Sequence, residues 1–120
     1  MTKMASLEYD AIVEILNENS VFLRSPLSRE VYAAAVADRD LTGVGISVEF
    51  HDRDIFTLSG EAITTGLGGI GAILNGRISV GFLLKVEKGK LVWLEGFTYG
   101  GDRWPEDLVD YRLTREAIST

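Results

Sequence analysis

The chain has 120 residues, a formal net charge of −6, 46% apolar and 25% charged residues, one histidine, two prolines and no cysteine. That length predicts one domain, residues 1–120, able to bury a core without covalent staples. The missing cysteines exclude disulfides, thiolate metal sites and a cysteine nucleophile, and an acidic chain whose most basic stretch (residues 85–90) is interrupted by Glu87 lacks the convergent cations that nucleic acid demands.

Ser6 reads as the N-cap of a first helix. Tyr9, Ile12, Val13 and Leu16 fall on one face and Glu8, Asp10, Glu14 and Glu18 on the other, with acids in the first turn to suit the dipole. Residues 17–20 end it. Ser25-Pro26 opens a second element, a short helix over residues 27–34, and the chain turns extended near Val36. Residues 35–38 fit helix and strand equally well.

From Thr42 the pattern is β. Val44, Ile46, Val48 and Phe50 alternate with Gly45, Ser47 and Glu49. A polar turn over residues 51–54, a return strand over 55–58 and an irregular connection over 59–66 follow. Residues 67–74 form a glycine-rich apolar strand, joined by the hairpin signal Asn75-Gly76 to a strand over 78–86. The turn Glu87-Lys88-Gly89-Lys90 leads into a strand over 91–99, completing a three-strand meander. Gly100-Gly101 breaks the sheet, Trp104-Pro105 marks an ordered turn, Tyr111-Arg112-Leu113 adds an edge strand, and the tail after Thr114 is dispensable. The expectation is an α+β fold, with one or two N-terminal helices packed on an antiparallel, mostly meander sheet of about five strands.

A two-residue loop at Lys88-Gly89 sets the hairpin register. It pairs Val86 with Leu91, Leu84 with Trp93, Phe82 with Glu95, Val80 with Phe97 and Ile78 with Tyr99. Glu95 then lies on the apolar face, where a buried carboxylate is a candidate acid or base. Two other readings remain: a bulge that shifts the register, or a marginal Glu95 paired with Arg103 or a backbone amide. In the unshifted register Gly81 and Gly96 leave a shallow groove on the opposite face.

Trp93 and Phe97 are expected in the core, whereas Tyr99, Arg103 and Trp104, at the sheet end and turn, form a candidate binding patch. Gly66, Gly68 and Gly71 satisfy a GxGxxG spacing, but the hairpin at Asn75-Gly76 leaves no room for the helix that a phosphate-binding loop requires. His51, Asp52 and Asp54 supply too few ligands for a metal site. No cofactor and no metal are expected.

Residues 1–6 lack the basic start and apolar run of a signal peptide, and no apolar stretch approaches the ~20 residues of a membrane span. A cytoplasmic location without membrane partners is expected. Thr42-Gly43-Val44-Gly45, Gly81-Phe82-Leu83-Leu84, Glu87-Lys88-Gly89-Lys90-Leu91, Leu94-Glu95-Gly96-Phe97-Thr98-Tyr99-Gly100 and Trp104-Pro105 together resemble blocks in small uncharacterised bacterial proteins. The resemblance spans residues 40–105, carries no catalytic residue, and implies a standalone product compatible with a toxin-neutralising (immunity) role.

The leading functional expectation is a non-enzymatic protein-interaction module with a basic partner. The alternative is a small-ligand binder or minor enzyme using Glu95 in an apolar cleft. A third is a homodimer formed through an exposed sheet edge.

Overall fold

The computed structural model describes residues 2–23, 25–50 and 64–115. The chain is α+β. Among the described residues two helices, α1 (Lys3–Glu18) and α2 (Arg29–Ala35), precede seven antiparallel strands: β1 (Val36–Leu41), β2 (Gly45–Phe50), β3 (Thr65–Leu67), β4 (Ile70–Leu74), β5 (Ile78–Glu87), β6 (Lys90–Thr98) and β7 (Tyr111–Arg115). The sheet order is β1-β2-β6-β5-β4-β7, with β3 also paired to β5. The polar turn at 51–54, the return strand at 55–58, most of the connection to residue 66 and the tail beyond residue 115 lie outside the described residues.

α1 is capped four residues before Ser6, where the Thr2 hydroxyl accepts a hydrogen bond from the Ala5 amide (3.1 Å). The first turn therefore holds no acid, and Glu8 moves into the second turn, buried rather than on the polar face. At the other end Asn19 donates its side-chain amide to the carbonyls of Ile15 (2.8 Å) and Gly68 (2.9 Å), closing the helix and tying it to the β3–β4 break. α2 is capped by Ser28, so Pro26 precedes the helix instead of occupying its first turn. The chain turns extended at Val36, and the ambiguous stretch divides between helix and strand at that point.

The expected strand over 67–74 is interrupted. Leu67 pairs with Leu84 but Gly71 pairs with Gly81, so β3 and β4 share one edge of the long β5 with a one-residue slip at Gly68-Gly69. Asn75 and Gly76 (φ 51° and 73°) form the expected tight turn, as do Lys88 and Gly89 (φ 50° and 75°). Asn75 also anchors the approach to β7, because its carboxamide accepts from the Val109 amide (2.8 Å) and donates to the Asp107 carbonyl (3.0 Å). β7 is the expected edge strand, and the meander β4-β5-β6 is present.

Both helices cover one face of the sheet. Leu7, Ala11, Ile12 and Ile15 of α1 join Ile46, Val48 and Phe50 of β2, Val80, Phe82 and Leu84 of β5, and Leu94 of β6 in a single apolar cluster. Tyr32 of α2 meets the Phe50 ring edge-on at 6.0 Å. Among the described residues no helix is long and apolar enough to cross a membrane.

Candidate functional site

The hairpin β5–β6 starts in the expected register, Glu87 opposite Lys90 and Val86 opposite Leu91, and then slips. Lys85 pairs with Trp93, leaving Val92 as an extra residue. Every later pair moves by one: Leu84 with Leu94, Leu83 with Glu95, Phe82 with Gly96, Gly81 with Phe97. One slipped residue exchanges the two faces of a strand. Glu95, expected among core side chains, is exposed on the opposite face, and Trp93 and Phe97 turn outward with it. Gly96 turns inward, so the glycines expected side by side lie on opposite faces.

The energetics favour the slip. A bulge sacrifices roughly one ladder hydrogen bond, ~1 kcal/mol. Burying an unpaired carboxylate costs several times more. Inside, the gap at Gly96 is filled by Trp104, whose ring would lie 2.7 Å from a Cβ at that position and which meets Phe82 edge-on at 6.2 Å. The Trp104 amide donates to the Gly43 carbonyl (2.9 Å) and its indole N–H points to the Met4 sulfur (3.4 Å). Trp104, expected in the surface patch, is therefore a core residue, 4% exposed. Tyr99 and Arg103 are exposed.

Among the described residues no helix packs on the outer face of the sheet. Across its middle Gly45, Phe97, Gly81 and Gly71 follow one another in register on four neighbouring strands, so Phe97 rises between glycines. Phe97 (38% exposed) meets Tyr99 (45% exposed) edge-on at 5.6 Å, with Leu83 (37% exposed) on the same face. The next two rows read Asp40–Ser47–Glu95–Leu83 and Asp38–Glu49–Trp93–Lys85. Four carboxylates, Asp38, Asp40, Glu49 and Glu95, thus share the half of the face built by β1, β2 and β6. Among the described residues none of the four forms an ion pair, and Asp38 stands directly opposite Glu49, a juxtaposition that costs stability in the free chain.

Neither family models, nor curated proteins, nor solved structures match this chain. The site must be read from its own chemistry.

On the helix side two carboxylates of α1 are held by an arginine and a tyrosine each. Glu8, fully buried, accepts from Arg39 Nε and Nη2 (2.6 Å each) and from the Tyr32 hydroxyl (2.8 Å). Asp10 accepts from Arg29 Nη2 (3.0 Å) and from the Tyr111 hydroxyl. Burial, reinforced by Glu8, pushes the Tyr32 phenol far above its ordinary range. Burial and the Asp10 hydrogen bond push Tyr111 up to about 12. Its hydrogen bond to Glu8 raises Arg39 further, outweighing partial desolvation. Among the described residues no buried side-chain donor or acceptor lacks a partner, and Glu8 is met by three hydrogen bonds, the arrangement of a structural clasp rather than of a reactive group. Glu8 was legible only as a polar-face acid, since its partners lie 24 and 31 residues away.

An open groove of about 290 Å³ runs between α1 and the chain leading to α2, lined by Tyr9, Val13, Leu16, Phe22 and Leu27 among others. Phe22 is 61% exposed there, and among the described residues that line the groove none is charged. Among the described residues no group of three or more His, Asp or Glu converges as a metal site would require.

Proposed function

We propose that this chain is a non-enzymatic protein-interaction module, acting in the cytoplasm, that binds a basic partner through the outer face of its sheet. The observation that carries this reading is the outward row Trp93, Glu95, Phe97 beside Asp38, Asp40 and Glu49, left without ion pairs among the described residues. Aromatic anchors flanked on the β1–β2 side by carboxylates without ion pairs among the described residues, with Lys85 on the other side of Trp93, are what an interface with a basic partner uses. Like-charge repulsion stored in the free chain is relieved when cations arrive, which favours the bound state and speeds encounter. The resemblance to small bacterial proteins carries no function over and is compatible with a toxin as that partner. The alternative of an enzyme built on Glu95 loses its motive, since the carboxylate is exposed rather than set in an apolar cleft.

The test is affinity capture from extract of the native host, with wild type compared with a Trp93→Ser/Phe97→Ser variant whose circular dichroism and melting temperature match wild type. A basic polypeptide should be retained stoichiometrically by wild type, released by raising the salt to 0.5 M, and lost with the variant. Equal retention by both proteins would overturn the reading.

A further inference from the structure

We infer that the basic partner docks as an extended segment added to the outer edge of β1, with its side chains alternating between cationic and small apolar. This deepens the reading that the acidic half of the sheet faces a basic protein, and rests on it.

β1 ends the sheet. Among the described residues it pairs with β2 alone, and residues 37–41 are exposed. An edge strand offers a row of backbone donors and acceptors to any chain of matching period. The two sides of this edge differ sharply in chemistry. Asp38 and Asp40 face outward, about 6.8 Å apart along the strand, and have no ion pair among the described residues. Val36 and Arg39 turn to the helix side, where a depression of about 350 Å³ is lined by Thr2, Ala5, Ala33, Val36 and Arg39. Glu8 already holds the Arg39 guanidinium in a two-point pair, so that rim carries little net charge, and the small side chains suit an alanine or valine.

A strand laid on β1 therefore meets carboxylates with one set of alternate side chains and a small apolar hollow with the other. The same acids deter a second β1 edge, because two copies would oppose like charges. The competing occupant is the β7 edge of another copy, which carries Arg112 and Arg115. Arg115 is already paired with Glu18 (3.4 Å), and each copy has a net charge of −6, so a foreign cationic strand is favoured.

The probe is a fluorescein-labelled heptapeptide alternating lysine and valine, followed by anisotropy at low salt against the intact chain. Expected are saturable binding, a loss of tenfold or more for the same composition with its lysines in one block, and a comparable loss for the alternating peptide N-methylated at every second amide. Asp38→Lys/Asp40→Lys should weaken binding at least tenfold, and Ala33→Trp, which fills the hollow without touching the acids, several-fold. Binding indifferent to order and to N-methylation would overturn strand addition while leaving the basic-partner reading intact. Peptide binding that behaves as expected, beside unchanged host capture by Trp93→Ser/Phe97→Ser, would uphold the edge site and overturn the outer-face reading. Self-association abolished by Arg112→Glu would assign the edge to a second copy and overturn the proposal.

Discussion

Replacing Arg39 by methionine tests whether Glu8 is held as a buried charge. The Glu8 side chain is 0% exposed and receives two hydrogen bonds from Arg39 and one from Tyr32. Without the guanidinium a carboxylate remains in the core with a single neutral donor. Removing one partner of a buried pair costs ~3–5 kcal/mol. The Arg39 side chain is 31% exposed, so water partly replaces it and the lower end, ~3 kcal/mol, is expected. For a chain of this size that is a fall in melting temperature on the order of 10 °C. Urea unfolding followed by circular dichroism measures it, with the slope unchanged if only stability is altered. The variant Glu8→Met/Tyr32→Phe/Arg39→Met, which removes the charges and the stranded hydroxyl together, should return to within about 1 kcal/mol of wild type. A loss below 1 kcal/mol for Arg39→Met alone would refute the buried clasp.

Further substitutions examine the slipped hairpin and the phenols. Phe82→Ala should cost ~3–5 kcal/mol and Phe97→Ala less than about half as much, since Phe82 is 2% and Phe97 38% exposed. Losses of ~3 kcal/mol or more at both positions in urea unfolding, which the unbulged register requires, would restore it. Gly96→Ala, whose Cβ would sit 2.7 Å from Trp104 Cη2, should cost ~1–3 kcal/mol and shift the buried tryptophan's emission to the red. An unchanged emission maximum and midpoint would count against Trp104 filling that gap. Tyr32 and Tyr111 stay protonated in the folded chain above pH 10, where the unfolded chain ionises, so stability is intact below pH 10 and falls as the pH rises toward 12. Tyr32 contributes a slope of ~1.4 kcal/mol per pH unit, and an identical slope in Tyr32→Phe would dismiss that origin.

Much of the fold is legible because its signals are local. Asn75-Gly76 and Lys88-Gly89 demand left-handed turns, the alternation of Ile46, Val48 and Phe50 marks a half-buried strand, and the chain turns extended where β-branched Val36 follows a run of alanines. The face of β6 was not legible from alternation alone. Leu91, Val92, Trp93 and Leu94 are all apolar, so two phases fit the residues equally, and the choice between them rests on the cost of burying Glu95 and on Trp104 packing over Gly96. That one-residue slip exchanges the roles of the aromatics: Trp104 belongs to the core, and Trp93 and Phe97 face outward. Glu8 escaped for a different reason. Nothing near it in sequence betrays Arg39 or Tyr32, and long-range pairs of this kind leave no periodic trace.

The outer sheet face as a docking surface is tested most directly by oxidative footprinting of the protein alone and in complex with its captured partner. Trp93, Phe97 and Tyr99 should react readily in the free chain and be protected in the complex, while Trp104 stays unreactive in both. Protection confined to Phe22 and Tyr9 in the groove beside α1, with Trp93 and Tyr99 still reactive, would contradict it.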